Sequence, residues 1–68
     1  MFMSPQIKPK VGDLVVLEDN FAGGKGYAYC VESVESWFCL QFFDYEDKLF
    51  YYWYNQEYDF VFSIISES

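Results

Sequence analysis

The sequence predicts a small all-β domain of five short strands, and three observations carry that reading. Ten of the chain's seventeen aromatic residues fall between Trp37 and Tyr54, as W-F-C-L-Q-F-F and K-L-F-Y-Y-W-Y around the acidic D-Y-E-D. Two aromatic runs split by a short polar segment are the pattern of a β-hairpin. Turn-forming residues recur between the other apolar runs, and no stretch shows the 3.6-residue period of an amphipathic helix. At 68 residues and 53% hydrophobic, the chain makes one domain at most, near the lower limit for a self-sufficient core. Its 25% aromatic share supplies the buried area that so short a chain needs.

Taken in order, residues 1–10 form an extended lead-in, because Pro5 and Pro9 block helix. Within it, Met1, Phe2, Met3 and Ile7 are free to pack on the domain or on a neighbour. Gly12-Asp13 makes a turn into a first strand over residues 14–18, L-V-V-L-E, whose consecutive apolar residues suggest burial on both faces or a strand that bends between two sheets. The longest loop, D-N-F-A-G-G-K-G, spans 19–26. Its glycines give backbone freedom rather than a phosphate cradle, since no Gly-Lys-Ser/Thr and no helix follow. Strand two covers 27–34 and strand three 37–43, joined by a tight turn around Val34-Glu35. Strand four covers 48–54. A polar turn with one helical turn precedes strand five at 60–65, and 66–68 is a polar tail.

Side chains on a strand alternate between faces, so the turns predict a register. Pairing strands two and three symmetrically about Val34-Glu35 sets Val31 against Phe38, Tyr29 against Leu40 and Tyr27 against Phe42. Pairing strands three and four about Tyr45-Glu46 sets Phe42 against Leu49, Leu40 against Tyr51 and Phe38 against Trp53. These residues form the expected core. The opposite face then carries Ala28, Cys30, Glu32, Trp37, Cys39, Gln41, Phe43, Phe50, Tyr52 and Tyr54. Five aromatics on a face that also holds Glu32 and Gln41 signal contact with a partner or a second copy, unless loops and the N-terminal arm cover them. The same register sets Cys30 across from Cys39 as free thiols packed as small apolar fillers. A one-residue bulge in that hairpin would abolish the pairing.

The chain has eleven acidic residues, four lysines, no arginine and no histidine, for a formal net charge of −7. That balance opposes binding to nucleic acid or to an anionic membrane. It serves solubility, or else attraction to a basic partner. No apolar run reaches the roughly 18 residues of a membrane span, and the N-terminus lacks the apolar stretch of a signal peptide, so neither secretion nor a membrane location is expected. Cysteine spacing and the missing histidines argue against a zinc site or a redox pair. The carboxylates Asp44, Glu46, Asp47, Glu57 and Asp59 sit in turns and match neither a glycosidase pair nor a calcium loop. No enzyme, metal or cofactor is expected.

The segments K-V-G-D-L-V-V-L, G-Y-A-Y-C-V-E-S-V, E-S-W-F-C-L-Q-F-F-D and K-L-F-Y-Y-W-Y resemble the small Src-homology-3-like (SH3-like) proteins of tailed bacteriophages. The likeness runs from about Lys10 to Ser68 and rests on Gly12-Asp13-Leu14-Val15, Gly26, Glu32, Trp37 and Asp44. It departs where Asp44-Tyr45-Glu46-Asp47 replaces the family's usual Asp-Gly turn. The resemblance implies an SH3-like barrel over residues 11–65, preceded by the arm 1–10. It also implies a structural or accessory protein, in the virion or the host cytoplasm, that docks on a capsid, neck or tail protein or on itself. The expected partner-binding residues are Trp37, Phe43, Phe50, Tyr52 and Tyr54, with Phe2 and Phe21 as secondary anchors. Two alternatives stand beside it: an acidic inhibitor occupying a basic nucleic-acid-binding surface of a host protein, and an adaptor gripping an extended or proline-rich peptide through tyrosines.

Overall fold

The computed structural model describes residues 5, 7–19 and 23–66. Five strands follow in order: β1 (Leu14–Asp19), β2 (Lys25–Ser33), β3 (Trp37–Phe42), β4 (Phe50–Trp53) and β5 (Phe60–Ser66). They form one antiparallel sheet in the order β4-β3-β2-β1-β5. Each strand begins and ends within two residues of its predicted bounds. No helix occurs among the described residues; the segment between β4 and β5 is made of turns. There the Trp53 backbone N–H donates to the Tyr58 hydroxyl at 3.1 Å, tying the end of β4 to the approach to β5; the helical turn expected here is not found.

Local chemistry explains the entry to the sheet. Gly12 adopts φ 96°, a left-handed conformation that glycine takes without steric cost. Next to it, the Asp13 N–H donates to the Lys10 carbonyl at 2.9 Å, and the Lys10 N–H donates to Asp13 Oδ2 at 2.8 Å. Asp13 is buried and holds the turn that launches β1. Gly23, at φ 72°, closes the β1–β2 loop by donating to the Asp19 carbonyl at 3.1 Å.

Both predicted hairpin registers are shifted: β3–β4 by one residue, and β2–β3 by two beside its turn, where Val34 N–H donates to the Trp37 carbonyl, and by one beyond a bulge. In β2–β3, Ala28 faces Phe42 and Cys30 faces Leu40; a bulge then shifts the pairing so that Glu32 faces Cys39 and Ser33 faces Phe38. The predicted pairing of Cys30 with Cys39 is overturned: the turn lies one residue later than expected, which sets Cys39 opposite Glu32, and the bulge then leaves Cys30 opposite Leu40. In β3–β4, Leu40 faces Phe50, Phe38 faces Tyr52 and Trp37 faces Trp53. The connection is two successive turns, with Tyr45 N–H donating to Phe42 and Lys48 N–H to Tyr45, rather than one turn centred on Tyr45-Glu46.

A one-residue slip exchanges the two faces of a strand. The core consists of Val15, Ala28, Cys30, Phe38, Leu40, Tyr52 and Phe62, with Ile7 of the lead-in packed against it. Tyr27, Tyr29, Tyr51 and Trp53, expected inside, are exposed. The sheet curls over its own inner face: the Tyr52 ring on β4 meets Phe62 on β5 at 5.0 Å, and Phe38 meets Phe62 at 5.5 Å. No strand ladder joins β4 to β5 among the described residues. Small residues on β2 fit this curl, because Ala28 and Cys30 leave room for rings converging from the outer strands.

Candidate interaction face

Alternation along the observed register builds the outer face from its central strand outward. Phe38 and Leu40 point inward, so Trp37, Cys39 and Gln41 of β3 point out, followed by Phe43 just beyond the strand. From β4 the outward residues are Tyr51 and Trp53; from β2 they are Tyr27, Tyr29 and Glu32.

Two clusters result. In the first, the Trp37 ring packs edge-on against Tyr51 at 5.4 Å and Trp53 at 6.3 Å. Cys39 lies beneath them, 1% exposed although it is on the outer side of the sheet. Burial pushes its thiol pKa up, the neighbouring Tyr51 side chain partly opposing the shift. Tyr51, itself 53% exposed, is raised chiefly by its proximity to Cys39. In the second cluster, Tyr29 and Phe43 lie 5.8 Å apart at a cleft of about 450 Å³ that Gln41, Phe42 and Glu46 complete. The Tyr29 hydroxyl donates to Gln41 Oε1 at 2.9 Å, and Gln41 Nε2 donates to the Glu46 carbonyl. Gln41 thereby ties the β3–β4 connection to β2 and holds the cleft's shape.

The sequence-predicted site residues separate accordingly. Trp37 and Phe43 are on the outer face, the first half-buried and the second exposed. Tyr52 is a core residue, and Phe50 and Tyr54 pack against the core, Phe50 on Phe42 at 5.3 Å and Tyr54 on Phe38 at 5.3 Å. These three cannot form an outward patch. Phe2 and Phe21 lie outside the described residues.

Tyr29, Tyr51 and Trp53, which the sequence reading placed inside, take their position. One signal pointed that way: in Y-A-Y-C, the residues alternating with tyrosine are small, as the concave side of a curled sheet requires. Keeping those small residues inside and Glu32 outside demands the bulge.

Acidic side chains border the face. Asp44, Glu46 and Asp47 are exposed in the β3–β4 connection beside the cleft, and Glu32 is exposed beside Cys39. Among the described residues, no group of three His, Cys, Asp or Glu side chains is placed to hold a metal ion. Nor is any helix there long and apolar enough to cross a membrane. The two thiols are buried and unbonded to each other, with the Cys30 pKa also raised by burial. Against known protein families, curated proteins and solved structures, the chain gives no significant match.

Proposed function

We propose that this chain is an SH3-like barrel of tailed-phage type, acting without catalysis as a structural or accessory protein that docks on a virion protein. Docking uses the face built by Trp37, Tyr51, Trp53, Tyr29 and Phe43. The observation that carries the reading is the exposure of large rings in two clusters on one side of the sheet: Tyr51, Trp53 and Phe43 remain 53%, 45% and 50% exposed. Rings of this size held in contact with each other are costly to leave in water and are the residue types that dominate binding energy at interfaces. The mutual packing of Trp37, Tyr51 and Trp53 fixes their conformations before binding, which lowers the entropy lost on association. The acidic border supplies orientation and discourages indiscriminate sticking.

The test is substitution on the outer face. Tyr51→Ala and Trp53→Ala leave the monomer folded and reduce its incorporation into phage particles several-fold. Incorporation equal to that of the unaltered chain would count against the reading.

The exposed carboxylates of Asp44, Glu46 and Asp47 beside the cleft favour a second reading, an acidic inhibitor of a basic nucleic-acid-binding surface. The two readings separate by salt. Binding through the carboxylates collapses as ionic strength rises, whereas aromatic docking persists.

A further inference from the structure

Strand β5 forms the edge of the sheet beside β1, and among the described residues no strand pairs with its outer side. Natural edge strands are blunted by charge, proline or extreme shortness. β5 reads F-V-F-S-I-I-S, with neither charge nor proline, and runs for seven residues.

The hydrogen-bond pattern identifies which of its groups are unused. The Asp13 carbonyl accepts from the Cys30 N–H, and the Asp19 N–H donates to the Gly24 carbonyl, so odd-numbered residues of β1 turn their backbone toward β2. Even-numbered residues of β1 then face β5, where Val16 is opposite Ser63 and Glu18 opposite Val61. Val61 and Ser63 therefore bond β1. Phe60, Phe62 and Ile64 direct their N–H and C=O groups to the free edge, where no backbone partner is found among the described residues.

We infer that this edge pairs with the same edge of a second copy, antiparallel about a two-fold axis at Phe62. Self-pairing in this register is complementary at every position. Phe62 faces its own copy, Phe60 faces Ile64, and exposed Val61 faces exposed Ser63, so inner residues meet inner and outer meet outer. The three outward-directed residues of each copy supply six backbone hydrogen bonds across the axis. The register uses only the regular part of β5, ahead of the irregularity where the Leu14 and Val15 pairings diverge. The strand is uncharged, so no like charges meet at the seam, although each chain carries −7 overall. Long-range repulsion between copies makes the dimer tighten as salt rises, the reverse of carboxylate-driven binding. The inference is independent of the aromatic docking face.

Amide hydrogen exchange across a concentration series is the primary test. Protection of the Phe60, Phe62 and Ile64 amides rises with concentration, while the Val61 and Ser63 amides are protected throughout. Concentration-independent exchange at all five, or a monomer by light scattering at every concentration, overturns the inference. Two double variants at exposed positions add a second test. Val61→Lys with Ser63→Lys places like charges opposite each other and yields a monomer. Val61→Lys with Ser63→Glu places opposite charges there and retains the dimer. Equal dimerisation by both variants would also overturn it.

Discussion

The rings of Tyr52 and Phe62 meet edge to face with centroids 5.0 Å apart, joining β4 and β5, two edge strands that share no backbone ladder. The curl of the sheet is therefore held by side chains at this seam. Phe38 reinforces it, lying 5.6 Å from Tyr52 and 5.5 Å from Phe62.

Removing the seam ring should unfold the domain. Tyr52→Ala loses about 3–5 kcal/mol, in the range of large aromatic truncations in cores. A single core in a chain this small rarely supplies more than about 3–5 kcal/mol in total. Circular dichroism is expected to show loss of the cooperative thermal transition. Trp53→Ala, on the outer face, keeps a transition within a few degrees of the unaltered protein.

Alkali should weaken the fold in a defined window. Burial is the main cause raising the Tyr52 phenol from 10.0 to about 12, so the folded state favours the neutral form. Its contribution to stability is whole below pH 10 and is lost as pH climbs toward 12. Cys30, Cys39 and Tyr54, all raised mainly by burial, act with the same sign. Urea midpoints measured between neutral and strongly alkaline pH should hold steady and then fall. In Tyr52→Phe the fall is shallower.

A side chain at Gly26 would be crowded by the Phe42 ring. A Cβ there would come within 3.0 Å of Phe42 Cε2 and 3.2 Å of Cδ2, and Phe42 is itself held against Phe50. Gly26→Ala should cost about 1–3 kcal/mol, as overpacking does. Pairing it with Phe42→Leu should recover part of that loss in denaturant titrations.

The two thiols should behave as buried, separate groups. Cys30 belongs to the inner core and Cys39 lies under the outer rings, so oxidants should form no disulfide between them in the folded chain. Thiol reagents are expected to label both only once denaturant opens the domain, as mass spectrometry would record. Tyr51→Ala uncovers Cys39 and should speed its labelling while leaving Cys30 slow.

The strand positions were legible because their punctuation is local. Gly12-Asp13, the glycines of 23–26, the tight Val34–Ser36 turn and the acidic stretch after Phe43 interrupt the chain wherever the sheet needs a turn. On β3 the faces were legible too: Phe38 and Leu40 lie inside as expected, with Gln41 pointing away. On β4 they were not. Phe50, Tyr51, Tyr52 and Trp53 are aromatic at every position, so no polar residue reports which side meets water. The bulge after Cys30 leaves an equally faint trace, and the candidate docking residues changed with it.

By itself, then, the amino-acid order determined an all-β domain of five strands, their approximate limits, and an aromatic surplus too large for one face. Tertiary structure alone decided which rings became core and which became surface. The reason is that side-chain direction has a period of two, so a one-residue offset reverses a whole strand. That offset depends on how the bulge and the double turn close the hairpins around a curled sheet. Only rings arriving from distant strands, such as Phe62 against Tyr52, select among the possible offsets.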